Sequence, residues 1–480
     1  MYHSSLYWHD YETFGIDPRR DRPAQFAGVR TDHELNLIGK PLVLYCRPAS
    51  DMLPSPEACL VTGITPQRAL RDGVPEAQFI GAIHAQMAQP GTCSVGYNTC
   101  RFDDEVTRNC LYRNFFDPYE REWRHGNSRW DIIDMVRLTA ALRPDGIEWP
   151  LDEQGRPSFR LELLTALNGI GRENAHDAWA DVLATIDLAR LIRLRQPKLY
   201  DFVWRHRGKR EASSLLRLGA YHPVLHVSEK YPAEKGCIAV VVALVRHPMN
   251  PNGIIVYDLG VDPGPLLELD ADAIHQRIFT RIADLPEGVE RVPLKTVHLN
   301  KCPVIVPLKV LRAADDRRLE IDRARCEVHL ERIKAAPNLL AKLEEVFRKP
   351  PPGTQGSDDP DLMLYGGGFF SDADKLRMAR LREMGPDELA LQKPDFDDPR
   401  LPEMLFRYRA RNFPESLSGA EIDRWEAFRR QRLTVPGCGG GIVLSEFEKS
   451  LRELAARSEL RDRDRDILQS LGAYGRTIIS

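Results

Sequence analysis

The stretch Leu6-Tyr7-Trp8-His9-Asp10-Tyr11-Glu12-Thr13-Phe14-Gly15 decides how the rest of the chain is read. Its β-prone residues make one short strand, which Gly15 closes. Side chains at i and i+2 of a strand share a face, so Asp10 and Glu12 project together. Leu6, Trp8 and Phe14 are apolar and belong in a core. Two carboxylates held side by side repel unless a cation or a proton lies between them. A solvated strand end produces the same pattern, so the pair needs companions before it implies chemistry.

Working outward, Gln25 to Arg30, Leu37 to Cys46 and Cys93 to Tyr97 read as further strands. Helical patterns fall near residues 66–72, 75–88, 103–115, 132–142 and 160–167. The clearest helix runs from Ala175 to Leu194, with Trp179, Val182, Leu183 and Ile186 on one apolar face. Strands interleaved with helices predict an α/β domain with a mixed sheet over residues 1–197. Residues 198–349 change texture. Val224–Val227, Ile238–Val245, Gly253–Leu259 and Thr296–His298 are β-rich, with helices near 272–282 and from Asp322 to Phe347. Pro350-Pro351-Pro352-Gly353-Thr354-Gln355-Gly356-Ser357 reads as a linker. Residues 357–480 carry charge-rich helical patterns at 372–384, 400–411, 419–433 and 444–471. Gly437-Cys438-Gly439-Gly440-Gly441 interrupts them, and Arg461 to Arg465 alternates charges as a solvated helix face does. Gly169-Ile170-Gly171 reads as a helix C-cap turn. His222 and His226 stand four apart in an extended run, where they do not share a helical face.

The 480 residues suggest about three domains at roughly 150 residues each. A hydrophobic fraction of 42% and a charged fraction of 29% exclude a disordered or fibrous chain. No stretch approaches the roughly 18 apolar residues of a membrane span. The first residues lack the basic and apolar regions of a signal peptide, so the expectation is a cytoplasmic protein. Nine cysteines with no C-x-x-C pair read as reduced, mostly buried thiols and argue against structural zinc. With a net charge of −3, binding to nucleic acid would need a local basic surface.

Two later stretches supply the companions. Asn98-Thr99-Cys100-Arg101-Phe102-Asp103-Asp104 follows a strand and opens a helix, where an Asp can also serve as a cap. Asn174-Ala175-His176-Asp177-Ala178-Trp179-Ala180-Asp181 opens the helix beginning near 175. His176 and Asp181 lie about 140° apart on a regular helix, so they share a site only if His176 sits at or before the first turn. Asn174 as the cap would put it there.

This order, D-x-E on an early strand, an Asp after a later strand and H-x-x-x-x-D on a helix, resembles the DEDDh exonuclease family. Asp10, Glu12, Asp103, His176 and Asp181 carry the match. Further blocks resemble the bacterial exonuclease I group within it. They include His9 to Gly15, Arg22 to Ala27, Arg101 to Asn109, Asn127 to Asp131, Ser158 to Glu162, His298 to Val304, Phe369 to Asp374 and Tyr408 to Pro414. The resemblance implies an RNase H-like exonuclease domain, an SH3-like domain and a C-terminal helical domain. It implies 3′→5′ hydrolysis of single-stranded DNA to 5′-mononucleotides, in DNA repair and recombination. It also implies two Mg²⁺ ions, with Mn²⁺ as a substitute, for which hard carboxylate oxygens are suited. In that picture Asp10 bridges both ions, Glu12 and Asp181 hold the first, and Asp103 serves the second. Glu12 also approaches the terminal sugar. His176 is the general base, and Arg160 contacts the phosphate near the cleaved bond.

Residues 101–143 hold eight arginines and eight acidic residues among seven aromatics, a composition suited to tracking phosphates and stacking bases. Their net charge is zero, so any basic surface depends on how the fold sorts the two signs. Arg108, Tyr119, Trp123 and Arg137 match the family's DNA-contacting positions. Lys301 and the Tyr408–Asn412 block are further candidates. The resemblance also suggests a partner, the acidic C-terminal tail of single-stranded-DNA-binding protein, with Arg143 a candidate contact. A monomer is expected. The competing readings are a catalytically silent single-strand-binding scaffold and an oligoribonuclease-like RNA exonuclease.

Overall fold

A computed structural model describes residues 4–170, 177–352 and 356–479. It contains two compact units. One comprises residues 1–129, 172–186 and 356–480, and the other residues 130–171 and 187–355. The division does not follow three consecutive segments, because the last stretch of chain packs into the first.

The first unit is built on a sheet of Ser5–Thr13 (β1), Pro23–Thr31 (β2), Leu37–Tyr45 (β3), Thr92–Gly96 (β4) and Ser128–Asp131 (β5, whose last two residues fall in the second unit), in the order β3-β2-β1-β4-β5. β1 pairs antiparallel with β2 and parallel with β4, so the sheet is mixed. The odd positions of β1, Tyr7 and Tyr11, pack with Phe26, Phe79, Ile83 and Val106. Helices Glu76–Met87 and Asp103–Arg113 therefore cover that face. The even positions carry Leu6 and Trp8, both buried, and then Asp10 and Glu12.

Two further cores join chain segments far apart in sequence. Phe14, Met52 and Leu53 pack with Leu433, Phe447 and Leu471. Tyr112 and Phe115 pack with Leu364, Met378 and Tyr408. Between them lies a lock of buried ion pairs. Arg411 reaches Asp51 and Asp361 at 2.7 Å each. Arg407 reaches Asp361 at 3.1 Å, and Arg432 reaches Asp51 at 3.3 Å and Asp359 at 2.9 Å. Burial alone would raise the Asp51 pKa, but Arg411, Arg432 and Arg22 outweigh it and hold the carboxyl well below the usual range.

The glycine-rich break lies between helices Gly419–Thr434 and Leu444–Ala455. Gly439 has φ 81°, and a Cβ there would come within 2.1 Å of the Asp359 carboxylate. A Cβ on Gly441 would come within 2.5 Å of Asp21. Glycine lets this turn lie directly on the lock.

The second unit holds Val224–Val227 (β6), Ile238–Arg246 (β7), Gly253–Asp258 (β8), Leu294–His298 (β9) and Ile305–Pro307 (β10). They form an antiparallel sheet in the order β10-β6-β7-β8-β9. Val224, Val241, Ile254, Val256 and Val297 make its core, against Leu216.

Three helical expectations need adjustment. The run from Asp322 to Phe347 is two helices, Arg323–Ala335 and Leu339–Arg348, parted at Pro337 and at Asn338, whose φ is 58°. The run 444–471 is likewise two helices, Leu444–Ala455 and Asp462–Ile479. The helix expected from Ala175 begins at Ala178. Gly169, with φ 67°, follows helix Leu161–Leu167 as a C-cap turn requires, and Gly171 lies outside the described residues. Among the described residues, no helix is long and apolar enough to cross a membrane.

Removing one partner from a buried ion lock leaves charges uncompensated, which costs about 3–5 kcal/mol. Asp51→Ala should therefore lower the unfolding free energy by about that amount. A chemical-denaturation midpoint within error of wild type would show that the lock contributes nothing.

Candidate active site

β1 and β2 are in regular antiparallel register up to Glu12 opposite Gln25. The pairing then slips, with Thr13 opposite Pro23. A bulge of this kind ends regular pairing and re-aims the strand beside it. Asp10 and Glu12 therefore stand on one face of the last regular turn of the sheet. Asp181, in the first turn of helix Ala178–Arg195, meets them there. One carboxylate oxygen from each of the three residues lies within 4.8 Å of the others, enough to hold a metal ion. Asp103 comes from the other side. It opens helix Asp103–Arg113 and is 4% exposed, and its Oδ1 accepts the Tyr11 N–H at 3.1 Å, past the end of β4.

A carboxylate that was not anticipated completes the group. Asp177 is the cap of helix Ala178–Arg195, where Asn174 had been expected. Its Oδ1 accepts from the amides of Trp179 at 3.1 Å and Ala180 at 3.3 Å. Gln25, opposite Glu12 on β2, holds the same turn. Its Nε2 lies 3.3 Å from Asp177 Oδ2, and its Oε1 accepts the Ala178 N–H at 3.2 Å. His176 precedes this cap in sequence and lies outside the described residues.

The electrostatics follow from the crowding. Burial first, then Asp103, Glu12, Asp181 and Asp177, raise the Asp10 pKa well above the carboxylate range. Burial, then Asp181, Asp103 and Asp177, push Glu12 up to about 8. Oxygen ligands in this density suit a hard divalent cation, which would remove the repulsion.

The other candidates are spread through the fold. Arg160 precedes helix Leu161–Leu167, is exposed and donates to Glu162 at 2.6 Å. Arg108 is buried, with both Nε and Nη2 on Glu122 at 2.7 and 2.8 Å and Nη1 on Glu105 at 2.8 Å. A phosphate would have to compete with both carboxylates. Arg137 is buried beside Asp134 at 2.6 Å. The fold thus sorts arginines 108, 113, 121, 129 and 137 into buried positions rather than onto a basic surface. Trp123 is 64% exposed, and Lys301 is exposed. Tyr119 is half-buried, 5.9 Å from the Phe369 ring and 6.4 Å from the Tyr365 ring, centroid to centroid. Tyr365 and Phe369 are exposed and extend the aromatic surface; the sequence marked Phe369 only as the start of a family-like block, and not Tyr365. They lie about 250 residues from Tyr119 in the chain, and no local pattern links them.

Metal-free stability should depend on pH through Glu12. Its folded pKa of about 8 exceeds the ordinary carboxylate value, so the folded state binds the extra proton between about pH 4.5 and 8. This contribution to stability is present at the acid end of that window and is lost as pH rises through 8. Melts in EDTA at pH 6 and 8 should differ more for wild type than for Glu12→Gln; equal differences would refute the raised pKa.

Comparison with known proteins accords with this geometry. An exonuclease family model matches residues 7–189, an exonuclease I SH3-like domain residues 207–349 and an exonuclease I C-terminal domain residues 358–478. The chain is 48% identical over 431 aligned residues to exodeoxyribonuclease I of Escherichia coli K12, covering 90% of each chain. It superposes on the moderately thermophilic exonuclease I of Methylocaldum szegediense with a TM-score of 0.95 at 62% identity, covering 99% of this chain and 100% of that one. It superposes on the zinc-bound E. coli exonuclease I–single-stranded DNA complex with a TM-score of 0.94 at 45% identity across the whole of both chains. This chain belongs to the exonuclease I family.

Proposed function

We propose that the chain is a metal-dependent exonuclease that removes 5′-mononucleotides from the 3′ end of single-stranded DNA. The observation that carries the reading is the gathering of Asp10, Glu12 and Asp181 within ligand distance, with Asp103 entering from the next helix. The E. coli relative's complex with single-stranded DNA and zinc supports both the substrate and the need for metal.

Asp10, Glu12 and Asp181 would hold one Mg²⁺ and Asp10 with Asp103 a second, with Mn²⁺ as a substitute. Bound divalent ions polarise the phosphodiester and make water a better nucleophile at neutral pH. The chain's own groups do the rest. Gln25 and the Asp177 cap hold the helix start, and so fix where Asp181 points. His176 is our candidate for the general base that takes the proton from the attacking water. Glu12 is assigned to the terminal sugar, and Arg160 to the phosphate next to the cleaved bond, where a guanidinium forms paired hydrogen bonds. Trp123, Tyr119, Tyr365 and Phe369 offer ring faces on which bases stack. Lys301 is a further candidate strand contact in the second unit; Arg108 and Arg137 would reach DNA only by giving up the ion pairs described above. An intact carboxylate set favours this reading over a silent scaffold. We further assign the protein to DNA repair and recombination in the cytoplasm, acting as a monomer.

Single-stranded DNA labelled at its 5′ end should lose length in Mg²⁺, keep its label until late, and be untouched in EDTA. Early release of labelled mononucleotide would reverse the direction. Degradation of short RNA as fast as long DNA would favour the RNA-exonuclease reading. Asp181→Ala should reduce cleavage by at least about a thousandfold while still binding DNA; wild-type turnover would refute the metal assignment.

Arg143 is our candidate contact for the acidic tail of single-stranded-DNA-binding protein. It is half-buried, with Nη2 donating to the Val310 carbonyl at 3.1 Å and Nη1 3.7 Å from Asp315. Capture of this enzyme by a tail peptide should be lost on Arg143→Ala, and undiminished capture would remove the residue from that role.

A further inference from the structure

We propose that Asp104, Arg121 and Arg129 are positioning residues that hold Asp103 in the site; the inference rests on the metal reading of Asp103. Asp103 and Asp104 are the first two residues of helix Asp103–Arg113. Phe102 before them is non-helical, with φ −126° and ψ −71°, and its side chain offers no acceptor to cap the helix. The Thr99 carbonyl accepts the Asp104 amide at 2.9 Å, and ion pairs add to the hold on the turn. Asp104 Oδ1 accepts from Arg121 Nη2 at 2.7 Å, and Oδ2 from Arg129 Nη1 at 2.6 Å. Arg129 stands on β5, and Arg121 Nη1 lies 3.5 Å from Ser94 Oγ on β4. Through these contacts the start of the helix is tied to two strands of the sheet. Glu122 completes the set, 3.0 Å from Arg129 Nε and paired with Arg108, which also holds Glu105. Three arginines thus face three carboxylates.

The arrangement answers a mechanical need. Asp103 is repelled by Asp10 and Glu12 across the site. Successive helical residues point about 100° apart, so Asp103 turns toward β1 while Asp104 turns into the arginines. A shift of this turn that relieved Asp103 would break the Asp104 pairs, and the pairs therefore oppose it.

The test is Mn²⁺ binding to the metal-free full-length protein without DNA, followed by electron paramagnetic resonance of the free ion, together with steady-state digestion of single-stranded DNA. Arg129→Lys keeps the charge but cannot reach Asp104 and Glu122 together. It should weaken the second Mn²⁺ about tenfold and lower kcat about tenfold, with KM within about twofold and cooperative melting retained. Wild-type Mn²⁺ occupancy, or a raised KM at unchanged kcat, would overturn the proposal. Should Arg129→Lys fail to fold, Glu122→Gln decides in the same assay, with about threefold weaker Mn²⁺ binding expected and wild-type binding overturning the idea. Asp103→Asn separates the two levels. If it binds Mn²⁺ as wild type does, the metal reading itself fails. If it loses an ion while Arg129→Lys does not, only the positioning role fails.

Discussion

Repulsion among the carboxylates at the end of β1 is the constraint on which the first unit turns. Buried carboxylates here fall into two groups with opposite behaviour. Asp51 and Asp361 are enclosed, yet Arg411 and its neighbours hold their pKa values well below the usual range. Asp104 is held low in the same way by Arg129, Arg121 and Arg108. Glu12 is buried and Asp10 partly buried, but their neighbours are other acids, and their pKa values rise. Burial alone would raise all five, so the difference lies in the partner. A fold that supplies arginines to three buried carboxylates and acids to two others concentrates its unmet demand for positive charge at one point. That point is where the family resemblance puts the metal.

The same sorting governs where the eight arginines and eight acids of residues 101–143 go. Arg108, Arg121 and Arg129 face Asp104, Glu105 and Glu122 inside the fold, so they shape the site rather than coat a surface. Outside in that region the unit leaves the rings of Trp123, Tyr365 and Phe369, beside the exposed Arg101 and Arg124, the latter paired with Glu120 at 2.8 Å. Stacking on rings tolerates any base and weakens little with salt, whereas phosphate contacts fade as salt rises. A protein with a net charge of −3 that gripped a strand this way would not have to rely on its overall field.

Much of this was legible in the sequence because it is local. Alternation along β1 put Asp10 and Glu12 on one face, and four of the five strands of the second unit stand within two residues of where the β-rich runs lie. What was not legible depends on partners distant in the chain. β10 is three residues long and carries no periodic signal. The helix start moved from Ala175 to Ala178 because Gln25, some 150 residues earlier, binds Asp177 and the Ala178 amide. The fate of Arg108 was hidden for the same reason: a phosphate contact and a buried ion pair need the same guanidinium, and only the position of Glu122 tells them apart. The glycine-rich break looked like a departure from a helical segment. In the fold it is a close approach to Asp359 and Asp21, at a turn where Gly439 takes a φ of 81° that suits glycine.

Register links these observations. Shifting a strand by one residue moves its side chains to the other face, so the position of Asp10 and Glu12 depends on β1 not slipping. Pro23, which has no N–H to donate, ends the regular pairing with β2 at Thr13. Phe14, next in the chain, is 1% exposed in a core it shares with Leu433, Phe447 and Leu471 of the last segment. A slip of β1 would have to draw Phe14 out of that core and break the backbone bond in which its amide donates to Arg22 at 2.9 Å. The C-terminal segment therefore acts on the site at a distance from it. By anchoring the residue that follows β1, it fixes which face of the sheet the two carboxylates occupy.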